Sequence, residues 1–382
     1  MRILHVIPSL RPETGGPSRS IPELCQALSE EGADIELATF RRPRAISTLD
    51  ATVLFPVRFF TPLPGSSQFP SLSFLLWLRR ELPRFDVVVL HALWSPAVTL
   101  TAAECRRLSV PYLLSPLGML RRAATERKRW MKRAYWRIVE RKTVQGAACI
   151  RFFNRMDAQE SIEYVGSACP PHVEISNGIN LTAFDKRPRM GFRSRYPALQ
   201  ERRVMLFVGR LHWSKNLRLQ WEAFKVLATR HPNLMWVLAG PDEGEQAWLT
   251  REAKIVGLDQ RMLITGLIPR EQCADAMEEA DVVIMTSHHE GHSTAMSEAL
   301  AAGASLVLTT TVGFESPVEW GPLVVEPRIE TVVDAVDSVL RDNSRRAAMN
   351  RAAREFAERT LSWSNVAKKF IAVCRDVSGR KC

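Results

Sequence analysis

Residues 204–239 combine two apolar strand segments with a helical segment between them, and they read VMLFVGRLHWSKNLRLQWEAFKVLATRHPNLMWVLA. The apolar runs 204–208 and 234–239 have the length of buried strands, and residues 217–229 have the pattern of a helix. Units of this kind form parallel sheets that are covered by helices on both faces. The stretch therefore predicts part of a doubly wound α/β domain.

The same alternation continues on both sides of this unit. Toward the C-terminus, strand segments are predicted at 262–265, 281–285 and 305–308, with helical patterns at 247–256, 270–279 and 294–302. Toward the N-terminus, strand segments are predicted at 2–7, 34–39, 86–90, 111–114 and 148–153. Two such series predict an α/β protein of two Rossmann-like domains that face a central cleft.

The turn signal Asn177-Gly178 separates the two series. A chain of 382 residues is also too long for one hydrophobic core. We predict a first domain over residues 1–178 and a second over residues 179–360. Residues 361–382 are predicted to form a C-terminal helix that packs back toward the first domain.

Composition excludes several classes of protein. The chain is 46% hydrophobic and 24% charged, as an ordinary globular protein is. The stretch 87–103 contains His91 and a Ser95-Pro96 break, so no membrane span is expected. The N-terminal apolar run is too short for a secretory signal. Seven scattered cysteines without a CxxC predict a reduced, cytoplasmic chain with no structural zinc.

The net charge of +11 is concentrated in residues 121–142, which contain ten bases and two acids. Apolar and aromatic residues are interleaved with these bases, and positions 131, 135, 138, 139 and 142 follow helical spacing. The pattern predicts a basic amphipathic helix. Two roles stay open for it: contact with an anionic membrane surface, or packing of the apolar stripe into the core with the other face in water.

Ligands bind at the carboxyl ends of the strands in folds of this class, so candidate ligand-binding residues are expected in the loops that follow strands. Gly15 and Gly16 lie between the first strand and its helix, where they permit unusual backbone and leave helix N–H groups facing a ligand. Gly209 and Arg210 end a second strand, and Lys215 precedes its helix. Two cations so placed suit a diphosphate, although a plain turn and two surface bases are the alternatives.

Two glutamates follow the strand predicted at 281–285. Glu290 lies in the loop at its carboxyl end, and Glu298 lies in the first turns of the next helix. Carboxylates in these places can accept hydrogen bonds from ligand hydroxyls. The nearby histidines 288, 289 and 292 raise the question of a metal, but no Cys or Asp completes a ligand set. No metal site is therefore predicted.

The order of these motifs resembles the GT-B-fold retaining glycosyltransferases of the family-four, or glycosyl transferases group 1, type. It consists of Gly15-Gly16, Val208-Gly209-Arg210 with Lys215-Asn216, the junction 175–180, and then Glu290 and Glu298. The resemblance implies that the first domain serves the acceptor and the second binds a nucleotide sugar. It also implies that Arg210 and Lys215 bind the diphosphate, Glu298 the ribose, and Glu290 a hydroxyl of the donor sugar.

In the first domain the fit to this family is incomplete. His91 matches a family histidine that lines the cleft, and we include it among the catalytic residues; a structural histidine is the alternative. Sequences of this type often carry a second histidine between Ser-Pro and Gly-Met-Leu, where this chain has Leu117. This chain therefore lacks the histidine that, by the resemblance, would contact the donor sugar.

The prediction is a hexosyltransferase-type enzyme that moves a sugar, with retention, from a UDP- or GDP-sugar to a saccharide acceptor. The resemblance implies a lipid-linked acceptor in bacterial surface-polysaccharide or lipopolysaccharide assembly, with the chain at the inner face of the cell membrane. No cofactor other than the donor, no metal and no nucleic acid is expected. The alternatives are a GT-B sugar-nucleotide epimerase and a non-catalytic nucleotide-sugar or polyanion binder.

Overall fold

The computed structural model describes residues 1–11, 16–40, 53–63, 69–126, 129–185, 191–290, 293–314 and 321–379. Its contacts divide the chain into two compact units. The first unit comprises Met1–Gly178 together with Trp363–Cys382, and the second comprises Ile179–Ser362. No helix among the described residues is both long enough and apolar enough to cross a membrane.

The first unit is built on a seven-stranded sheet in the order β3-β2-β1-β4-β5-β6-β7, and every neighbouring pair is parallel. Its strands are β1 Arg2–Ile7, β2 Asp34–Phe40, β3 Val57–Phe60, β4 Val87–His91, β5 Tyr112–Ser115, β6 Cys149–Phe152 and β7 His172–Glu174. Its helices are α1 Pro17–Glu30, α2 Leu72–Glu81, α3 Pro96–Arg107, α4 Arg122–Glu126, α5 Arg129–Tyr135, α6 Arg141–Gln145, α7 Arg155–Val165 and α16 Trp363–Gly379.

The second unit is built on a six-stranded parallel sheet in the order β10-β9-β8-β11-β12-β13. Its strands are β8 Arg203–Val208, β9 Leu234–Ala239, β10 Met262–Gly266, β11 Val282–Met285, β12 Leu306–Thr309 and β13 Leu323–Val325. Its helices are α8 Thr182–Asp185, α9 Phe192–Arg195, α10 Leu217–Arg230, α11 Gln246–Ile255, α12 Arg270–Glu279, α13 Thr294–Ala301, α14 Ile329–Arg341 and α15 Asn343–Phe356.

Both faces of each sheet are buried, which explains why the central strands are apolar at almost every position. In β4, for example, Val88 and Val87 lie in two different core clusters, one on each face of the sheet. A strand covered on both sides has no polar face, so it reads as a continuous apolar run. The α/β fold class and the two Rossmann-like sheets predicted from sequence are confirmed.

The C-terminal helix α16 packs within the first unit. Phe370 and Cys374 of this helix are buried beside Ile3 and Val89 of the sheet. At the start of the helix, the Trp363 indole N–H donates to Glu23 Oε2 of α1 at 3.2 Å. The helix thereby covers one face of the seven-stranded sheet.

The basic segment 121–142 is helical but is not the single amphipathic helix that its spacing predicts. A π-helical turn, Trp136–Glu140, separates α5 from α6, and residues 127 and 128 lie outside the described residues. Two apolar positions of the predicted stripe do not pack into the core, because Met131 is 47% and Ile138 is 72% exposed. The buried residues of the segment are Arg121, Thr125 and Glu140, and Tyr135, Trp136 and Val139 are half-buried.

Candidate functional site

The carboxyl ends of β8, β9 and β10 are joined by backbone hydrogen bonds that continue past the strands. The Gly209 amide donates to the Ala239 carbonyl at 2.9 Å, and the Gly240 amide donates to the Gly266 carbonyl at 2.9 Å. A Cβ on Gly240 would lie 1.9 Å from the Gly209 carbonyl oxygen, and φ of Gly240 is +152°. Only glycine permits this approach. The ends of β8 and β9 are thus held together at the residue before Arg210.

Arg210 follows this junction, and its guanidinium contacts an acid from the neighbouring strand end. Its Nη1 lies 2.7 Å from Glu243 Oε2, with side chains 56% and 38% exposed. The Glu243 amide donates to the Leu211 carbonyl at 3.0 Å, which fixes the acid beside the arginine. An exposed ion pair contributes little stability, so Arg210 can exchange this carboxylate for an anionic ligand at small cost.

Lys215 and Glu290, which were predicted from separate motifs, lie in contact. The Lys215 ammonium donates to Glu290 Oε1, and the Ser287 hydroxyl donates to the same oxygen at 2.9 Å. These two side chains are only 19% and 13% exposed. A partly buried ion pair is screened less by salt than a surface pair. The contact therefore defines a charged centre at the carboxyl end of the second sheet.

Hydrogen bonds between two loops explain how residues so distant in sequence meet. The His288 amide donates to the Ser214 carbonyl at 2.9 Å, and the Thr286 hydroxyl contacts the Lys215 and Asn216 carbonyls at 3.2 and 3.1 Å. Asn216 has a left-handed φ of 50° immediately before α10. This turn directs the chain from β8 into α10 and places Lys215 against the loop that follows β11.

Glu298 lies in α13, whose N-terminus is capped by the Ser293 hydroxyl; this Oγ accepts from the Met296 amide at 3.3 Å. Its carboxylate Oε1 accepts from Arg270 Nε at 2.9 Å, and the Glu298 side chain is 13% exposed. Arg270 is the first residue of α12. The structure thus orients Glu298 through an arginine that the sequence motifs did not include.

His91 at the end of β4 is completely buried. Its Nε2 lies 2.9 Å from His5 Nδ1, and the two rings are stacked. Burial, followed by the charge of Arg151, lowers the pKa of His5 to about 3. Burial first, then His5 and Arg151, lowers the pKa of His91 well below its usual value. Two neutral rings in the core favour the structural role over the lining role that the resemblance implies for His91.

Gly16, another predicted residue of the first unit, lies at the start of α1. Gly16 is the N-cap of this helix, and its carbonyl accepts from the Arg19 and Ser20 amides at 3.1 and 3.0 Å. Gly15 lies outside the described residues. The ligand role of both glycines stays a prediction.

A metal centre was considered at the histidines near Glu290. In the described part of the chain, no group of three or more His, Cys, Asp and Glu side chains could hold a metal ion. Burial, with His289 as a second cause, lowers the pKa of His288. His292 lies outside the described residues.

Sequence reasoning missed three side chains that surround the predicted ones: Glu243, Arg270 and Ser287. Glu243 lies four residues after the end of β9, in the sequence Gly240-Pro241-Asp242-Glu243. An acid at a strand end beside a predicted cation was a usable signal. Arg270 carried no such signal, because its partner Glu298 is on another helix and 28 positions away.

Comparisons with known proteins agree with this architecture. The family described as "Glycosyl transferases group 1" matches residues 192–356, and the family described as "Glycosyl transferase 4-like domain" matches residues 15–178. An uncharacterized glycosyltransferase of Methanocaldococcus jannaschii, MJ1607, is 27% identical over 207 residues, which are 52% of each chain. This chain therefore aligns with about half of that relative.

Other relatives match over nearly the whole chain. A D-inositol 3-phosphate glycosyltransferase of Thermobispora bispora is 26% identical over 409 residues, covering 97% of this chain and 92% of the relative. The crystal structure of Anabaena Alr3699/HepE in complex with UDP and glucose matches with a TM-score of 0.74 at 17% identity, covering 98% of this chain and 100% of that one. The chain belongs to the glycosyl transferases group 1 family and has the GT-B fold, which confirms the family that the order of its motifs indicated.

Proposed function

We propose that this glycosyltransferase moves a sugar, with retention of configuration, from a UDP- or GDP-sugar to a lipid-linked saccharide acceptor in bacterial surface-polysaccharide assembly. The observation that carries the proposal is the contact between Lys215 and Glu290 at the carboxyl end of the second sheet. It supports a donor site because it joins the cation predicted for the diphosphate to the acid predicted for the sugar. The Anabaena structure, which holds UDP and glucose, supports the same class of donor.

Arg210 and Lys215 would bind the diphosphate. Both cations already contact carboxylates, Glu243 and Glu290, so each is held near the strand ends before a ligand arrives. Charge-assisted hydrogen bonds from such side chains strengthen as negative charge develops on the departing phosphate. The leaving phosphate would in turn help to remove the acceptor proton on the same face of the sugar. No metal ion is needed for this charge stabilisation.

Glu290 and Glu298 would bind hydroxyl groups of the donor. Glu290 is oriented by Lys215 and Ser287, both of which bind its Oε1. Glu298 is oriented in the same manner by Arg270. A carboxylate whose direction is fixed loses less entropy when it accepts a ligand hydroxyl. We assign Glu290 to the transferred sugar and Glu298 to the ribose.

The basic segment would hold the enzyme on the inner face of the cell membrane. Trp130 and Ile138 are 77% and 72% exposed, and Met131 is 47% exposed. The exposed bases among residues 129–142 are Arg129, Arg133, Arg137, Arg141 and Lys142. Apolar side chains that enter the headgroup region, surrounded by cations, suit an anionic bilayer. Such attachment would bring the active site to an acceptor carried on lipid.

A donor panel tests the proposed activity. Purified protein is mixed with UDP- and GDP-sugars and a lipid-linked saccharide pool, and the products are identified by mass spectrometry. We expect one sugar to be transferred with its anomeric configuration retained, as shown by NMR of the product. A nucleotide sugar that is bound but never transferred, or one that is only epimerised, would contradict the proposal.

A further inference from the structure

Two loops, at the carboxyl ends of β4 and β5, contain residues with positive φ, a backbone conformation that residues other than glycine rarely adopt. Ala92 and Trp94 follow β4 with φ of 74° and 59°, and Leu117 follows β5 with φ of 57°. Left-handed backbone is strained at residues other than glycine. Such conformations persist where the surroundings impose them, and they concentrate at functional sites. The loop 92–94 therefore has a shape that its surroundings must maintain.

Three successive amides of this loop are held by acceptors from outside it. The Ala92 amide donates to the Ser115 carbonyl at 2.9 Å, and the Leu93 amide donates to the Met119 sulfur at 3.2 Å. The Trp94 amide donates to Glu140 Oε1 at 2.8 Å. The first acceptor is the last residue of β5, and the second lies in the loop that follows β5. The third comes from the basic segment, 46 positions along the chain.

Glu140 has no exposed surface, although it lies in a segment rich in exposed bases. Its Oε2 accepts from the Thr99 hydroxyl at 3.0 Å, so both oxygens bind neutral donors of the β4–α3 region. Burial raises the pKa of this carboxyl above its usual value. A buried carboxylate is costly unless hydrogen bonds satisfy it. Its placement against a strained loop indicates a role in holding that loop.

The turn that contains the buried Glu140 also contains an exposed apolar residue of the segment. Glu140 ends the π-helical turn Trp136–Glu140, within which Ile138 is 72% exposed. π-helical turns commonly occur at functional sites. One short turn thus joins the residues proposed to meet the membrane with the carboxylate that binds the loop.

We propose that Glu140 is a positioning residue that couples membrane contact by residues 129–142 to the shape of the loop 92–94 on the acceptor side. This inference rests on the proposed function, in which the segment meets an anionic bilayer and the acceptor is lipid-linked. Contact with the bilayer restrains the turn 136–140 and keeps Glu140 on the Trp94 amide. Binding to lipid then stabilises the ordered loop, and the ordered loop strengthens binding to lipid by the same factor.

Hydrogen exchange of the complete protein, followed by mass spectrometry, tests the first half of this coupling. Glu140→Ala removes both acceptors, so peptides that contain residues 92–95 should exchange about 10- to 100-fold faster, as for loss of a hydrogen bond to a charged group. Glu140→Gln keeps an acceptor for the Trp94 amide and should restore protection to within a fewfold of wild type. If Glu140→Ala does not fold, Glu140→Asp, which shortens the reach by one methylene group, replaces it.

Glu160→Ala is the matched control. Glu160 binds the other end of the segment through Arg121 Nη2 at 2.7 Å and the Arg122 amide at 3.1 Å. This variant loosens the segment generally and should leave exchange at residues 92–95 as in wild type. Equal deprotection by both variants, or none by Glu140→Ala, would overturn the positioning role.

The second half of the experiment repeats the exchange with vesicles of phosphatidylglycerol and phosphatidylcholine. Wild type and Glu160→Ala should exchange about fivefold or more slowly at residues 92–95 on these vesicles, whereas Glu140→Ala should bind them equally and show no slowing. Wild type that binds vesicles without slowing would overturn the coupling. Wild type that ignores the vesicles would overturn both the coupling and the membrane contact, while the exchange measured in solution still decides whether Glu140 positions the loop.

Discussion

In the second unit, each predicted cation at a strand end contacts its own carboxylate: Arg210 contacts Glu243, and Lys215 contacts Glu290. In the first unit, the segment 129–142 has several exposed bases and a single acid, Glu140, whose carboxylate faces the Trp94 amide instead. This difference in the arrangement of charge fits the two partners that we propose, a diphosphate for the second unit and a lipid surface for the first. A compact ligand such as a diphosphate is bound by cations held in fixed positions, whereas a lipid surface requires only a density of charge.

Lys215→Ala should produce the largest effect. It tests whether the fixed cations of the second unit bind a diphosphate. Loss of the ammonium should lower turnover about 10²- to 10³-fold, or about 2.7–4 kcal/mol, because charge on the departing diphosphate is no longer stabilised. Steady-state kinetics with the identified donor measure this. Lys225→Ala, on the following helix, is the control and should keep normal turnover. Equal turnover in wild type and Lys215→Ala would remove Lys215 from the mechanism.

Gly240→Ala asks whether backbone geometry, in addition to charge, defines the second-unit site. A Cβ there would lie 1.9 Å from the Gly209 carbonyl oxygen, so the strand ends must separate. We expect a loss of about 3 kcal/mol in the free energy of unfolding, measured by urea denaturation. The control is Gly257→Ala. Gly257 has a φ of +69° and an added Cβ would meet nothing within 4 Å, so this variant should lose only about 1–2 kcal/mol in the free energy of unfolding. Equal losses would show that the close approach does not matter.

Glu298→Ala separates the two glutamates. Nucleotide binding should weaken by about 1.5–3 kcal/mol, the range for a hydrogen bond to a charged group. Glu290→Ala should instead lower turnover while UDP or GDP still binds. Calorimetric titration of the nucleotide into both variants measures the difference. The opposite pattern, with nucleotide lost only in Glu290→Ala, would reverse the two assignments.

Arg137→Gln should produce the smallest effect and tests the first-unit half. One base at an anionic surface contributes on the order of 1 kcal/mol, so vesicle binding should weaken about fivefold, and the difference should shrink at high salt. Co-sedimentation with anionic vesicles measures this. Arg251→Gln is a control in the second unit, where the side chain is 67% exposed, and should bind as wild type does. Equal weakening by both would mean that net charge alone drives binding.

The central strands of both sheets were predictable because burial on two faces leaves a continuous apolar run. The edge strands β3, β7 and β13 were missed, since they are only 4, 3 and 3 residues long and partly exposed. The sequence predicted one regular helix for the basic segment, whereas residues 136–140 form a π-helical turn and Met131 and Ile138 of the predicted stripe are exposed. Periodicity assumes a regular helix and cannot register such a turn.

The sequence motifs indicated candidate site residues one at a time, but they did not indicate which of these residues contact one another. Lys215 and Glu290 are 75 positions apart, and Arg210 and Glu243 are 33 positions apart. Which acid meets which base depends on loop paths such as the left-handed turn at Asn216. That information lies in the tertiary structure. For His91 the sequence left a cleft-lining role and a structural role open, and its burial against His5 favours the structural one.

The most direct test of the central claim, that the Lys215–Glu290 contact marks the donor diphosphate site, is calorimetric titration of UDP and GDP into wild type and Lys215→Ala. The account predicts that wild type binds one of these nucleotides and that Lys215→Ala binds it at least about tenfold more weakly, as expected when a charge-assisted hydrogen bond is lost. Identical affinities in the two proteins would contradict it.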